Sequence, residues 1–200
     1  YMVIQPQYRG STGWGTDHYT SSYIDGGQGG YKMQDDKDDG ALYLIEQGLV
    51  DSDRIAMFGW SYGGYAALIA AAREDQIYQC VISGAPVTDN IQQLNYYKNM
   101  LRGASKVSQV NFWSDSISPL DVVDKVNVPV LLIHGEDDQR VPVSHAKKYV
   151  EKLKEFNKNH EYLELEDADH FSNTLFFEHK MQFFPKMIDY LSNDCGPDGL

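Results

Sequence analysis

Residues 58–71, FGWSYGGYAALIAA, decide the fold. A single serine, Ser61, lies between two aromatic residues, and glycines enclose the three. An apolar run precedes this stretch and small helix-forming residues end it. The order predicts a strand that turns sharply into a helix, with Gly59 and Gly63 removing the clashes that a strained bend creates. Ser61 is then expected to project above the carboxyl edge of a sheet, and Gly64 to permit close packing of the helix on that sheet.

Short apolar runs alternate with longer segments of helical spacing along the rest of the chain, as in crossover units on a parallel sheet. The sequence predicts five strands, at residues 2–5, 54–58, 79–83, 128–134 and 160–165. It predicts helices at residues 33–47, 62–73, 91–101, 144–156 and 175–192. A chain of 200 residues suits one domain. The predicted fold class is therefore α/β, a mostly parallel sheet with helices on both faces, over residues 1–200.

The composition disfavours two classes of partner. A net charge of −12 at pH 7 argues against binding to nucleic acid or to an anionic membrane, since both require clustered Lys and Arg. No run approaches the roughly 18 apolar residues of a membrane span. The cysteines, Cys80 and Cys195, suggest neither a disulfide framework nor a CxxC metal site, and both are predicted to be structural.

The sequence also disfavours a metal site. Residues 35–46 imitate a calcium-binding loop, but Lys37 occupies the third position, where a carboxylate is needed. The acidic residues are predicted instead to form the first turn of a helix, where negative charge meets the positive end of the helix dipole. We expect neither a metal nor an organic cofactor.

The chemistry of the bend depends on Ser61 and on the helix that follows it. The unpaired N–H groups of the first helical turn point back at the bend, so the backbone N–H of Tyr62 is the first expected donor to an oxyanion. The alternative is a glycine-rich turn whose serine only caps the helix.

A serine hydroxyl becomes a good nucleophile when an imidazole takes its proton and a carboxylate orients that imidazole. On a parallel sheet of this kind the order along the chain is serine, acid, histidine, each on a loop after a strand. The loop after the fourth predicted strand carries Asp137 and Asp138, and the loop after the fifth carries His170. The remaining histidines fit these positions poorly and are predicted to be structural or solvated: His18, His134, His145, His160 and His179.

Several stretches now resemble the catalytic domain of the prolyl oligopeptidase family of serine peptidases, in particular its dipeptidyl peptidase and acylaminoacyl peptidase branches. They are YRGSTGWG (8–15), GLVDSDRIAMFGWSYGGYAAL (48–68), GAPVTD (84–89), HGEDDQRVP (134–142) and DADHF (167–171). The resemblance implies an α/β-hydrolase fold, truncated at its N-terminus because the family's sheet has further strands before residue 1. It also implies that the loop with a second oxyanion donor and a substrate-filtering β-propeller lie upstream.

The resemblance implies a role for each matching residue. Ser61 is the expected nucleophile and His170 the expected base. Asp138 is the expected acid, because the family's loop has an aspartate, two residues and then Val-Pro, and Val141 follows Asp138 at that spacing. Asp137 is the fallback.

The resemblance further implies that the side chains of Tyr62 and Val141 line the pocket for the residue before the scissile bond, and that Arg140 reaches a substrate carbonyl. The implied activity is hydrolysis of peptide bonds in oligopeptides through an acyl-enzyme. Two alternatives stay open. One is an esterase or thioesterase with the same triad, and the other is an inactive fragment that serves as a scaffold or interaction module. An exposed sheet edge would also allow a homodimer.

Overall fold

The computed structural model describes residues 1–24, 29–100, 102–171, 176–197 and 199–200. The chain divides into two compact units. The first consists of Tyr1–Ser52 and Asp89–Ser118, and the second of Asp53–Thr88 and Pro119–Leu200. The assignment of residues 1–200 to one partial catalytic domain stays a prediction.

The first unit contains four helices in its described residues: α1 (Thr16–Thr20), α2 (Lys32–Glu46), α4 (Asn90–Met100) and α5 (Gly103–Ser114). The described residues of the second unit contain four strands: β1 (Ala56–Trp60), β2 (Cys80–Gly84), β3 (Val130–Gly135) and β4 (His160–Leu165). Its described helices are α3 (Tyr62–Ala71), a 3-10 helix (Pro119–Lys125), α6 (Ser144–Glu155) and α7 (Phe177–Asn193).

The four strands form one parallel sheet in the order β1-β2-β3-β4. Val81 pairs with Val130, and Ile82 with Leu131. Because side chains alternate along a strand, these two pairs face opposite sides of the sheet. The valines pack with residues of α3 and α6, whereas Ile82 and Leu131 pack with residues of α7. The sheet therefore has helices on both faces, which confirms the predicted fold class.

The predicted strand at residues 2–5 is wrong. Residues 1–8 form no strand, and Tyr1, Met2 and Val3 are 78%, 61% and 86% exposed. A β-branched composition predicts a strand only where a neighbouring strand takes up its backbone hydrogen bonds. The described part of the first unit provides helices and no strand.

The cysteines also differ from expectation. Cys80 of β2 and Cys195, just after α7, form a disulfide with a Cα–Cα distance of 5.0 Å across a sequence separation of 115. The sequence alone does not show that two cysteines 115 residues apart lie within disulfide distance of each other. The bond ties the end of α7 to the sheet beneath it.

Helix α2 contains the acidic stretch that imitates a calcium loop, and the backbone there is helical as predicted. Arg9 forms a two-pronged ion pair with Asp36, at 2.7 and 2.6 Å. Lys37 is buried. Its Nζ lies 3.7 Å from the centre of the Tyr8 ring and donates a hydrogen bond to the Met33 carbonyl. Burial lowers the pKa of Lys37 to about 7, although the neighbouring Asp36 and Asp38 favour its charged form.

Candidate active site

Ser61 lies at the bend between β1 and α3 in a strained backbone conformation, with φ 59° and ψ −116°. A residue with a side chain adopts a positive φ at a cost of about 1–3 kcal/mol, and surrounding structure must hold it there. The Ser61 N–H donates to the Gly84 carbonyl at 2.8 Å, and its carbonyl accepts from the Tyr65 N–H at 3.0 Å. The Ser61 side chain makes no capping hydrogen bond to α3. A role as a helix cap therefore does not explain this serine.

Two of the three glycines around the bend are required for space. A Cβ added at Gly59 would lie 2.2 Å from the Gly63 carbonyl oxygen, and one added at Gly64 would lie 2.3 Å from the Gly84 carbonyl oxygen. A Cβ added at Gly63 would meet no atom within 4 Å. Gly64 thus permits the predicted close packing of α3 on the sheet. The clash at the bend is avoided by Gly59 alone, which corrects the role predicted for Gly63.

Asp138 and His170 meet as a buried hydrogen-bonded pair. His170 Nδ1 is 2.6 Å from Asp138 Oδ2, and the two residues are 3% and 4% exposed. An ionised carboxylate only accepts hydrogen bonds, so Nδ1 carries the hydrogen and Nε2 of the neutral ring is left as a proton acceptor. Asp137, the fallback acid, is exposed. The structure therefore brings His170 together with the acid that the Val-Pro spacing favoured.

Asp138 is held as a carboxylate. Burial would raise its pKa, but hydrogen bonds from His134, His170 and the Val141 N–H outweigh burial and place the pKa well below its usual range. Oδ1 accepts the N–H groups of Arg140 and Val141, each at 2.8 Å. A carboxylate with this many donors stays charged at neutral pH and can stabilise a neighbouring imidazolium.

The loops that carry the acid and the histidine are joined to each other. The Asp137 N–H donates to the Ala168 carbonyl at 2.9 Å, and the Glu136 N–H donates to the Leu165 carbonyl at 3.0 Å. A Cβ added at Gly135 would lie 2.3 Å from the Ala168 carbonyl oxygen, so the close approach of the two loops requires glycine there. The separation of Asp138 from His170 is therefore fixed by backbone contacts.

Trp60, the last residue of β1, connects the bend to the histidine loop. Its Nε1–H donates to the carbonyl of His170 at 2.9 Å. The indole lies against Gly84, where an added Cβ would be 1.9 Å from its Cε3 atom, and it meets Phe183 edge-on with ring centres 5.8 Å apart. The sequence prediction did not include this residue, although the tryptophan before Ser61 is part of the GWSYGGY motif.

The three predicted substrate-binding residues lie close to these groups along the chain. Tyr62 begins α3, and its ring stacks on Tyr65 at 5.5 Å between centres. Arg140 is exposed, and its guanidinium lies over the Phe171 ring at 5.8 Å. Val141 is 1% exposed, which limits the contact that its side chain could make with a substrate. The binding roles of these residues stay predictions.

A second histidine contacts Asp138. His134 is fully buried, and its Nε2 is 2.8 Å from the Val141 carbonyl and 3.3 Å from Asp138 Oδ2. His134 was predicted to be structural or solvated because it closes a strand. Its position in the sequence does not reveal where its ring points, so its contact with Asp138 could not be predicted.

Within the described ranges, no group of three or more His, Cys, Asp and Glu residues could hold a metal ion. The helices of those ranges are all too short or too polar to cross a membrane.

Known proteins are similar in sequence to most of this chain. The model of the prolyl oligopeptidase family matches residues 1–196. The chain belongs to the prolyl oligopeptidase family. It is 28% identical over 181 residues to dipeptidyl peptidase family member 6 of Caenorhabditis elegans, a match that covers 85% of this chain and 24% of the relative. It is 29% identical over 205 residues to the acylamino-acid-releasing enzyme of Rattus norvegicus, covering 90% of this chain and 27% of the relative.

The fold is shared with a solved peptidase structure. Pyrococcus horikoshii acylaminoacyl peptidase superimposes with a TM-score of 0.79 at 21% identity, over 96% of this chain and 32% of that chain. This likeness confirms the α/β-hydrolase fold. The chain spans about a quarter of the length of the two curated relatives.

Proposed function

We propose that this chain carries the catalytic residues of a serine peptidase that hydrolyses peptide bonds of oligopeptides. The observation that supports the proposal most directly is the buried hydrogen bond between Asp138 and His170. Trp60, the residue before Ser61, donates a hydrogen bond to the His170 carbonyl and so connects the histidine loop to the bend. Membership of the prolyl oligopeptidase family and the names of the two relatives, a dipeptidyl peptidase and an acylamino-acid-releasing enzyme, also favour peptide substrates.

In the proposed reaction, Ser61 Oγ attacks the scissile carbonyl while His170 Nε2 takes its proton. The bond from Nδ1–H to Asp138 selects the tautomer with a free Nε2, as this step requires. His170 then gives the proton to the leaving amine, and an acyl-enzyme forms on Ser61. Water, activated by the same imidazole, releases the acyl group and restores Ser61.

The negative charge that develops on the substrate carbonyl needs donors near Ser61. The Tyr62 N–H is the proposed first donor, because Tyr62 directly follows Ser61 and begins α3, whose N-terminus favours negative charge. Loss of one such donor costs about 3–4 kcal/mol of transition-state stabilisation in other enzymes. A second donor is proposed to come from the longer parent protein.

Substrate selection is proposed to involve Tyr62, Arg140 and Val141. Arg140 is exposed and could reach a substrate carbonyl, whereas Val141 acts mainly through its N–H on Asp138. A β-propeller of the parent protein would restrict access to short peptides, and pairing of two copies at a sheet edge would give a homodimer.

Labelling with a fluorophosphonate tests the nucleophile. The intact protein is expected to carry the label on Ser61, located by peptide mass spectrometry, and Ser61→Ala is expected to lose it. Turnover should fall on the order of 10⁶-fold in Ser61→Ala and on the order of 10⁴-fold in Asp138→Asn. A folded protein that never labels at Ser61 would favour the scaffold.

Parallel assays on peptide and ester substrates test the substrate class. The proposal expects cleavage of blocked and free oligopeptides by the protein in which Ser61 labels. Hydrolysis of esters or thioesters with no peptide cleavage would instead favour the esterase.

A further inference from the structure

We propose that His134 is a positioning residue, whose Nε2–H shares Asp138 Oδ2 with His170 and so limits the charge that Asp138 presents to the catalytic imidazole. The inference rests on the proposed function, in which Asp138 orients His170.

The hydrogen of His134 can be placed from its partners. Its Nε2 is 2.8 Å from the carbonyl oxygen of Val141, which can only accept. Nε2 therefore carries the hydrogen, and the same hydrogen lies near Asp138 Oδ2 at 3.3 Å. Nδ1 is buried and has no hydrogen-bond partner in the described residues. The ring thus approaches the acid through its donor side alone.

Asp138 distributes its charge over four donors. Oδ1 accepts two backbone N–H groups, and Oδ2 accepts from His170 while His134 lies on the same oxygen. A carboxylate can accept about four hydrogen bonds, so these donors occupy nearly all of the acceptor sites of Asp138. Each donor on Oδ2 stabilises the carboxylate and weakens its pull on the proton that His170 shares with it.

The other charged groups near His134 are compensated by their own partners. Glu164 of β4 is the register partner of His134. Its carboxylate accepts from the Tyr162 hydroxyl at 2.6 Å and pairs with Lys147 of α6 at 3.0 Å. Arg140 donates its backbone N–H to Asp138 while its guanidinium lies over Phe171. Removal of His134 therefore affects two acceptors, Asp138 Oδ2 and the Val141 carbonyl, and a substitute amide donor must serve both.

Two substitutions separate the hydrogen bond from the volume of the ring. His134→Leu fills similar space without a donor, so Oδ2 serves His170 alone and the imidazolium form of His170 is stabilised more strongly. The acid limb of kcat/KM against pH should then move to higher pH, on the order of half a pH unit. His134→Gln places an amide donor near the position of Nε2 and should restore the wild-type midpoint.

The experiment measures kcat/KM from pH 5 to 9 for the intact wild-type protein and both variants, together with their melting temperatures. A shifted midpoint in His134→Leu with recovery in His134→Gln supports the inference. An unchanged midpoint in His134→Leu, or equal shifts in both variants, overturns it and leaves His134 a purely structural residue. If His134→Leu does not fold, His134→Asn replaces it, because its shorter amide does not reach Oδ2.

A second readout does not depend on catalysis. The proton between His170 and Asp138 gives a downfield resonance in proton NMR spectra, and this resonance should move further downfield in His134→Leu and return in His134→Gln. Activity that survives Ser61→Ala would defeat the proposed function, while the NMR comparison would still decide the role of His134. A resonance whose chemical shift is the same in the wild type and in both variants would overturn the inference.

Discussion

The two glycines that flank the bend at Ser61, Gly59 and Gly63, occupy equivalent positions in the GxSxG motif but are predicted to tolerate substitution differently. Gly59→Ala should damage the protein, whereas Gly63→Ala should not. At Gly59 the new Cβ would lie 2.2 Å from the Gly63 carbonyl oxygen, 2.3 Å from its carbonyl carbon and 2.7 Å from its Cα. At Gly63 the new Cβ would have no neighbour within 4 Å, and the backbone there is helical.

The expected magnitudes follow from these distances. Ordinary contact begins near 3.4 Å, so Gly59→Ala must separate β1 from the first turn of α3 by about 1 Å, and only backbone atoms are available to move. Overpacking typically lowers the free energy of unfolding by about 1–3 kcal/mol. Because the atoms that clash in Gly59→Ala belong to the backbone and cannot easily move, we expect a loss of about 3–4 kcal/mol for this variant. Gly63→Ala should instead gain up to about 1 kcal/mol, because alanine restricts the unfolded chain.

Equilibrium urea unfolding of the intact protein, followed by circular dichroism, measures both free energies. Fluorophosphonate labelling provides a local readout, since a displaced bend should slow the labelling of Ser61 in Gly59→Ala. The reasoning would be refuted by a Gly59→Ala protein within about 1 kcal/mol of wild type, or by equal losses in the two variants.

Three further predictions concern other contacts. Trp60→Phe removes the indole donor to the His170 carbonyl and should lower kcat by about 10- to 100-fold with little change in KM, because the proposed base is displaced while substrate contacts remain; steady-state kinetics showing an unchanged kcat would contradict this. Replacing Cys80 and Cys195 by alanine removes a cross-link between residues 115 positions apart and should lower the free energy of unfolding, measured in urea, by up to about 5 kcal/mol. Alkylation of both thiols in the unreduced wild-type protein would argue against the disulfide. Lys37 has a folded pKa of about 7, below its unfolded value, so its burial penalty is largest below pH 7 and fades as the pH rises towards the unfolded value. Lys37→Met should therefore gain about 2–3 kcal/mol more at pH 6 than at pH 9, measured by urea unfolding at the two pH values; a gain independent of pH would show that Lys37 is not desolvated.

Local patterns in the sequence were sufficient for the elements that carry the site. Helix α6 was predicted at residues 144–156 and spans Ser144–Glu155, because its apolar residues recur at helical spacing against a charged face. The bend at Ser61 was predicted because glycines and small residues restrict the local backbone to few solutions. Asp138 was preferred to Asp137 on the spacing of Val141, and it is Asp138 that meets His170.

Features that depend on distant partners could not be predicted in the same way. Helix α5 was missed because Gly103–Ser114 contains glycine, serines and valines, which are weak helix formers, so its order depends on packing. The strand at residues 2–5 was predicted from composition, but a strand also needs a neighbour. The contacts of His134 with Asp138 and of Trp60 with His170 depend on where each ring points, and these pairs are 4 and 110 residues apart in sequence, respectively.

The aromatic residue before Ser61 explains how the proposed nucleophile and the proposed base are held in position relative to each other. Asp138 is positioned by β3 and its loop, but the His170 carbonyl is bonded to Trp60 of β1, and β2 lies between these strands. The indole can lie across β2 only because Gly84 has no Cβ, and the same Gly84 carbonyl accepts the N–H of Ser61. The position of His170, on the loop after β4, thus depends on the alignment of β4 with β1 and β2, while its tautomer depends on Asp138, on the loop after β3. A sheet that forms with one strand out of register would place neither contact, so the proposed triad exists only in the fully folded unit.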